Sequence, residues 1–330
     1  MIKDLPGRIA VIIPCYKVIP HILAVLEAIP PTVEAIYIVD DACPDGSAAH
    51  VEAQSPDTRI KIIRHEVNLG VGGAMITGYR AAIADGMDIL VKIDGDGQMD
   101  PELIEQFVAP ILKGDADYTK GNRFFEFERV SAMPKVRLFG NAALSFMTKF
   151  SSGYWDIFDP TNGFTAIHAK VAKELPLDKL NRRFFFESDM LFRLNTLRAV
   201  VVDIPMTALY EDEVSNLKIS RIAGSFLYKH IGNTLKRIFY SYYLRDFSVA
   251  SLELPLGFFM LVFGALYGTL QWAHYAGLGL PAPGGTIMLT AVTMIMGLQL
   301  LLAFLAYDAG SVPKRPLHPR LHSPSQRGSS

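Results

Sequence analysis

Three aspartates, Asp94, Asp96 and Asp100, stand among glycines and one glutamine in the stretch KIDGDGQMDPE, residues 92–102. An apolar run, Ile89–Ile93, leads into them. One interpretation is a surface turn between a strand and a helix, where acidic residues and glycines are common. The other is a divalent cation, because Mg²⁺ and Mn²⁺ take carboxylate oxygens and share their coordination with substrate phosphates. The elements around the aspartates decide between the two.

Short apolar runs rich in β-branched residues alternate with helical patterns in the N-terminal part of the chain. The predicted strands are Ile9–Ile13, Ala35–Val39, Ile60–Ile63 and Ile89–Ile93, and the predicted helices are Ile19–Ala28, Ser47–Gln54, Gly73–Asp85 and Pro101–Leu112. This alternation predicts an α/β fold with a parallel sheet between helices. Ligands of such sheets bind outside the carboxyl ends of the strands. Each predicted strand is followed by a polar cluster: PCYK, DDACPDGS, HEVNLGVGG and DGDGQMDPE. We therefore expect one site at this edge, which favours the metal interpretation.

The same clusters suit a nucleotide. Asp41 ends the second strand, where its carboxylate can accept hydrogen bonds from a base or ribose, or can cap the helix at Ser47. The run Asn68–Gly73 opens a helix, and its glycines would let the main chain approach a diphosphate. It matches neither the dinucleotide fingerprint nor the P-loop, which argues against ATP hydrolysis. The formal net charge of −1 gives no indication of nucleic-acid binding.

The C-terminal part predicts a membrane hairpin. No Asp, Glu, Lys or Arg occurs from Leu254 to Tyr307. Within this stretch Leu254–Ala273 and Thr286–Tyr307 each reach the roughly 20 residues that cross a bilayer, with LGLPAPGG as the turn between them. A buried hairpin in a soluble core is the alternative, but both segments are apolar all round. Lys and Arg lie on both sides of the stretch, so the positive-inside rule predicts a two-span membrane protein with the N-terminal domain and both termini in the cytoplasm.

Seven motifs stand in order along the chain: IPCYK, VDDACPDGS, NLGVGGAMITGY, DGDGQMDPE, GNR, DPTNGF and FFFESD. Over about Ile9–Arg245 the chain resembles the family 2 glycosyltransferases of GT-A fold, of the polyprenyl- and dolichyl-phosphate sugar synthase type. Its C-terminal hairpin is similar to that of the bacterial polyprenyl-phosphate glycosyltransferases. The resemblance implies an inverting enzyme that moves a hexose from a UDP- or GDP-linked sugar to a polyprenyl phosphate at the cytoplasmic membrane face, with Mg²⁺ or Mn²⁺ as cofactor. Direct transfer to a glycan or glycolipid is one alternative, and an inactive nucleotide-sugar-binding scaffold is another.

The resemblance also implies which residues bind the donor. Asp94, Asp96 and Gln98 would form the metal site, with Asp96 nearest the diphosphate and counted as catalytic. The nucleotide would contact a set of residues at the strand ends: Pro14, Tyr16, Asp41, Asn68, Gly70 and Asp94. Lys17 and Val18 stand where the family usually has Asn-Glu, so contacts of that pair are not carried over.

On the acceptor side, Arg123 and Arg137 match the arginines that bind the acceptor phosphate and act in catalysis, and Asp159 matches the candidate catalytic acid. Whether Asp159 is a base, orients groups or assists the metal is left open. Ser215 and Lys218 are assigned to the acceptor phosphate, with a solvated basic flank as the alternative. Glu187 and Asp189 lie two apart on a predicted helix, so at most one faces the site, and we favour Asp189.

Four regions result. Residues 1–215 form a cytosolic Rossmann-like GT-A catalytic domain, 216–252 basic amphipathic interfacial helices, 253–308 the two-span hairpin and 309–330 a disordered basic tail. The expected partners are a nucleotide sugar, a polyprenyl phosphate and the membrane, and no nucleic acid. A homo-oligomer is compatible with the sequence.

Overall fold

The structure, a computed structural model, describes residues 7–125, 135–207 and 219–321, without the side chains of residues 135–139, 141 and 219–223. The chain divides into two compact units. The sheet unit comprises Met1–Thr234 and Val312–Ser330, and the hairpin unit comprises Leu235–Ser311. The chain thus leaves the sheet unit before the predicted spans and returns to it after them.

The sheet unit contains a seven-stranded sheet in the order β3-β2-β1-β4-β6-β5-β7. The strands are β1 Ile9–Cys15, β2 Ala35–Asp40, β3 Ile60–Arg64, β4 Ile89–Lys92, β5 Tyr118–Asn122, β6 Thr165–His168 and β7 Val201–Pro205. Neighbouring strands are parallel except β6, which is antiparallel to both β4 and β5. The ends of β1–β5 and the start of β6 therefore meet at one edge. The first four strands confirm the predicted ones.

Helices cover both faces of this sheet. They are α1 Ile19–Glu27, α2 Ser47–Gln54, α3 Val71–Ala84, α4 Ile104–Leu112, α5 Lys135–Ser152, α6 Ala169–Glu174, α7 Phe186–Leu197 and the first part of α8, Ile219–Phe239. One apolar cluster contains Tyr79 of α3, and the other contains Ile22 of α1 and Phe107 of α4. Strands buried on both faces explain the continuous apolar runs in the sequence. The predicted helices α1–α4 are confirmed.

The C-terminal segment through Leu321 packs on the sheet unit. The carboxylate of Asp117, which is fully buried, accepts hydrogen bonds from the main-chain nitrogens of Leu317 (2.7 Å) and His318 (2.8 Å) and from His318 Nδ1 (2.7 Å). The His318 ring also stacks on His168, with 4.3 Å between centroids. The prediction of a disordered tail over 309–330 was therefore wrong for residues 312–321. A buried carboxylate needs donors, and this segment supplies them.

The hairpin unit consists of the end of α8, a π-helical turn at Tyr240–Arg245 and two long helices, α9 Val249–Gly277 and α10 Gly284–Gly310. Both long helices are long and apolar enough to cross a membrane. They contain the two predicted segments, and the chain turns between them at the predicted LGLPAPGG.

Two features hold the hairpin unit together. A glycine lies where the long helices approach closely, since a Cβ on Gly297 would come within 2.8 Å of the Leu261 main-chain nitrogen. The buried Arg237 guanidinium donates to both oxygens of Asp308, at 2.6 and 3.0 Å, and the Tyr242 hydroxyl donates to the same carboxylate at 2.6 Å. Such a paired and hydrogen-bonded charge is the arrangement that burial requires.

Candidate active site

The predicted metal ligands lie where β4 ends. Asp94 Oδ1 is 2.8 Å from Lys92 Nζ, and Asp96 Oδ1 accepts a hydrogen bond from the Gln98 main-chain nitrogen at 3.1 Å. Gly163 faces them from the loop before β6, because a Cβ there would lie 2.5 Å from Asp94 Oδ2. Within the described residues no group of three or more His, Cys, Asp or Glu could hold a metal ion alone. Two carboxylates fit a hard divalent cation that completes its coordination with substrate phosphates.

Lys92 is a site residue that the sequence analysis missed. Its side chain is 1% exposed, and its Nζ is 3.4 Å from Glu187 Oε1 in addition to its contact with Asp94. Burial alone would lower the pKa of this ammonium, but the Asp94 and Glu187 carboxylates raise the pKa above its ordinary value. The available signal was a charged residue closing the otherwise apolar strand ILVK.

Asp41 and Asn68 order the loop that opens α3. Asp41 is 3% exposed, and its two carboxylate oxygens accept hydrogen bonds from the main-chain nitrogens of Leu69 (2.8 Å) and Gly70 (2.7 Å). His65 Nδ1 lies 2.8 Å from the same carboxylate, and the Asn68 amide donates to the Asp41 carbonyl at 3.2 Å. Asp41 and Asn68 are thus hydrogen-bonded within the protein, and their predicted contacts with a nucleotide stay predictions.

The glycines of this loop serve packing between chain segments. Gly70 has φ +84°, and a Cβ on it would come within 2.5 Å of the Arg182 carbonyl oxygen. The Gly73 nitrogen donates to the same oxygen at 3.1 Å, and a Cβ on Gly72 would overlap the Asn181 carbonyl. Packing against the segment before α7 therefore accounts for these glycines, and the approach of this loop to a diphosphate stays a prediction.

Pro14 and Tyr16 lie where β1 ends, as predicted for nucleotide contacts. The Tyr16 ring is 45% exposed, and Lys17 Nζ lies 5.8 Å from its centroid. Lys17 has φ +59°, and its main-chain nitrogen is 3.1 Å from Cys43 Sγ, which fixes this turn against the start of α2. An exposed ring on a fixed turn offers a flat surface on which a base can stack.

Arg123 and Asp159 form an ion pair. Arg123 Nε donates to Asp159 Oδ2 at 2.7 Å, and Nη2 donates to Oδ1 at 3.1 Å. The Arg123 main-chain nitrogen also donates to Oδ2 at 3.2 Å. Asp159 is fully buried, whereas the Arg123 side chain is 25% exposed. Of the roles left open for Asp159, this ion pair favours the orientation of Arg123, and the acceptor and catalytic roles of both residues stay predictions.

Two further ionisable groups lie beside this pair, and the sequence analysis missed both. Lys120 is fully buried and donates to the Asn162 carbonyl, and burial lowers the pKa of its ammonium to about 8. Asp203 Oδ2 accepts hydrogen bonds from the Phe158 nitrogen (2.8 Å) and the Asn122 amide (3.2 Å). Burial raises the pKa of Asp203 to about 6. Asp203 thus joins the segments that carry Arg123 and Asp159.

The preference for Asp189 over Glu187 was wrong. Asp189 accepts hydrogen bonds from three groups of the surrounding fold: the Asn181 nitrogen (2.9 Å), Arg193 Nε (3.0 Å) and the Asn233 amide (3.2 Å). Glu187 is the carboxylate of α7 that lies 3.4 Å from Lys92 Nζ, and Lys92 also contacts Asp94. The spacing argument that only one of the two faces the site is consistent with this arrangement.

The side chains of three predicted acceptor residues lie outside the part of the chain that the structure describes. Arg137 belongs to α5, but its side chain is outside the description, and Ser215 and Lys218 lie outside it altogether. Their assignment to the acceptor phosphate stays a prediction.

Helix α8 has a packed side and an exposed apolar side within the sheet unit. The Phe226 ring packs edge-on against Phe185, with 5.3 Å between centroids. Leu227, Tyr228 and Ile231 are 49%, 79% and 50% exposed. An apolar side beside basic residues is typical of a helix that lies at a membrane surface.

The sheet order and the aspartates after β4, at the edge where α/β sheets bind ligands, define the GT-A class of glycosyltransferase. The crystal structure of glucosyl-3-phosphoglycerate synthase from Mycobacterium tuberculosis, in complex with Mn²⁺, uridine diphosphate and phosphoglyceric acid, has the same fold. It matches with a TM-score of 0.52 at 17% identity, covering 72% of this chain and 82% of that one.

Residues 10–176 match the sequence profile of glycosyl transferase family 2. The chain belongs to this family. It is 28% identical over 219 residues to the undecaprenyl-phosphate mannosyltransferase of Micrococcus luteus, covering 64% of this chain and 88% of that protein. It is 31% identical over 154 residues to the UDP-N-acetylglucosamine–dolichyl-phosphate N-acetylglucosaminyltransferase of Methanococcus voltae, covering 47% of this chain and 61% of that protein.

Proposed function

We propose that this glycosyltransferase moves a hexose from a UDP- or GDP-linked sugar to a polyprenyl phosphate, with inversion at the anomeric carbon. The observation that carries the proposal is the Arg123 guanidinium, held by a buried carboxylate at the same sheet edge as Asp94 and Asp96. An oriented, partly exposed guanidinium suits a phosphate, which it can bind through paired N–H donors. The relatives that act on undecaprenyl and dolichyl phosphates support this choice of acceptor.

The residues at the sheet edge where β1–β5 end would have different roles in glycosyl transfer. Asp96, with Asp94 and Gln98, would hold Mg²⁺ or Mn²⁺, which when bound neutralises charge on the departing nucleoside diphosphate. Tyr16 offers its exposed ring to the base. Arg123 would bind the acceptor phosphate, and Asp159 keeps the guanidinium in one orientation. A phosphate monoester is largely ionised near neutral pH, so its oxygen attacks the anomeric carbon without a strong base.

The membrane places the acceptor within reach. We assign α9 and α10 to the bilayer, with both chain termini in the cytoplasm, because Lys and Arg flank the hairpin and are absent from its turn. The exposed apolar side of α8 would lie at the lipid surface, where polyprenyl phosphates present their head groups.

The test is incubation of the full chain, purified in detergent, with undecaprenyl phosphate, Mn²⁺ or Mg²⁺ and a panel of UDP- and GDP-sugars. We expect one nucleotide sugar to yield a lipid-linked hexose, with a β linkage from an α-linked donor. Transfer to a glycan or glycolipid in place of the lipid phosphate would refute the acceptor. Nucleotide binding without turnover on any acceptor would identify a scaffold instead.

A further inference from the structure

Two lysines are buried inside the sheet on either side of β6. Lys92 closes β4 and is 1% exposed, and Lys120 lies in β5 and is fully buried. A buried ammonium is costly unless charges and hydrogen bonds compensate it. The groups that compensate these two lysines lie at the site.

The lysines hydrogen-bond two successive carbonyls of the loop before β6. Lys92 Nζ donates to the Gly163 carbonyl at 3.2 Å, and Lys120 Nζ donates to the Asn162 carbonyl. The last main-chain hydrogen bond near this end of β5 and β6 runs from the Gly121 nitrogen to the Phe164 carbonyl, at 2.9 Å. The two preceding carbonyls, of Gly163 and Asn162, accept hydrogen bonds from the lysine side chains. The lysines therefore extend the support of β6 into the loop that begins at Asp159.

Glu187 pairs with Lys92. Its carboxylate is 13% exposed and lies 3.4 Å from Lys92 Nζ, and its negative charge opposes the lowering of the Lys120 pKa by burial. Lys92 also holds Asp94, at 2.8 Å, and the loop also holds Arg123 through Asp159. One network of contacts thus joins Asp94, which is assigned to the nucleotide sugar, to Arg123, which is assigned to the acceptor phosphate.

We propose that Lys92, Lys120 and Glu187 are positioning residues that fix the loop of residues 159–163 and thereby align donor and acceptor groups together. The donor and acceptor assignments rest on the proposed function, whereas the network itself does not. Because Lys92 contacts both Asp94 and this loop, and the loop contacts Arg123 through Asp159, loss of the network should affect both substrates. A purely structural cluster would change stability alone.

Glu187→Gln is the decisive variant, because the amide keeps the shape of the side chain and removes the negative charge that pairs with Lys92. The matched control is Asp117→Asn, which removes a fully buried carboxylate that lies directly before β5 and outside the site. We would measure thermal unfolding, Mn²⁺ affinity by electron paramagnetic resonance, affinity for UDP and GDP by calorimetry, and the KM for undecaprenyl phosphate. Lys92→Met would be measured alongside.

We expect Glu187→Gln to weaken nucleotide affinity and to raise the acceptor KM, each by about tenfold, the low end of what loss of a supporting hydrogen-bond partner costs at a metal site. Asp117→Asn should lower the unfolding temperature and leave the nucleotide affinity and the acceptor KM within about twofold of the wild-type values. The proposal is overturned if Glu187→Gln behaves like the control, or if only one substrate is affected.

Failure of the proposed acceptor is distinguishable from failure of this network. In that case the wild-type chain would bind nucleotide and Mn²⁺ without glycosylating undecaprenyl phosphate. The network is then judged on nucleotide and Mn²⁺ affinities alone, and unchanged values in Glu187→Gln would overturn it.

Discussion

The ion pair between Arg123 and Asp159 makes a sharp prediction about the acceptor. If Asp159 acts by orienting Arg123, then Asp159→Asn and Arg123→Ala should damage the same step. Both should raise the KM for polyprenyl phosphate and leave nucleotide affinity nearly unchanged. If Asp159 were instead a base that acts on the acceptor, Asp159→Asn would lower kcat by about 10²–10⁴-fold with little effect on the acceptor KM.

The geometry sets the magnitudes. Two short N–H···O bonds join the pair, and Asp159 is fully buried. Breaking a buried pair costs about 3–5 kcal/mol, but a quarter of the arginine reaches solvent, so we expect Asp159→Asn to lower the free energy of unfolding by about 2–3 kcal/mol. Either single substitution should lower kcat/KM by about 1.5–3 kcal/mol, the worth of a hydrogen bond to a charged group.

A double-mutant cycle is the assay. Initial rates are measured against acceptor concentration at saturating donor for the wild type, both single variants and the double variant. We expect the double variant to lose no more than the worse single variant, which gives a coupling energy of about 1.5–3 kcal/mol. Asp57→Asn is the control, because Asp57 forms a similar bidentate pair with Arg59 away from this edge. Additive losses in the cycle would refute the orienting role.

Three further predictions concern stability, each measured by thermal or denaturant unfolding. The pKa of Asp203, raised by burial to about 6, exceeds the ~3.9 of an unfolded chain, so its contribution to the free energy of unfolding should fall by up to about 3 kcal/mol as the pH rises from 4 to 7. Asp203→Asn should lack that dependence, and parallel wild-type and variant curves would contradict it. Gly72→Ala should cost about 1–3 kcal/mol through overlap with a neighbouring carbonyl, whereas Gly140→Ala, where a Cβ meets open space, should be neutral or stabilising. His318→Ala should cost about 1–3 kcal/mol by removing one donor from the buried Asp117, and an unchanged unfolding temperature would argue against that contact.

Periodicity and turn chemistry were sufficient to predict the first half of the sheet. In an α/β chain, the apolar run Ile89–Ile93 followed by Asp94 indicates a buried parallel strand. The end of such a strand lies next to the ends of its neighbours. The same reasoning could not predict β6, because Thr165–His168 has only two apolar residues, which stand between a threonine and a histidine. The spans were predictable for the opposite reason, since a long uncharged stretch has few alternatives.

The partners of the charged residues were not predictable, because they depend on contacts between distant parts of the chain. Asp41 was expected to face a nucleotide, yet it accepts hydrogen bonds from a loop 28 and 29 residues away. Glu187 and Asp189 differ in role only because α7 turns one of them toward Lys92. Local sequence gives the type and spacing of such groups, and tertiary packing decides which of them pair.

The return of the chain to the sheet unit changes how the membrane hairpin should be understood. Asp117 accepts hydrogen bonds from residues 200 and 201 positions later, and its carboxylate is fully buried. Four N–H groups compensate the burial of that charge, and three of them belong to Leu317 and His318. The sheet unit is therefore complete only after Leu235–Ser311 has been synthesised, and the hairpin is an insertion in this unit rather than an appendage to it. A chain shortened before the spans would lose the Asp117 contacts together with the hairpin, so the role of the spans has to be tested in a chain that keeps residues 312–321.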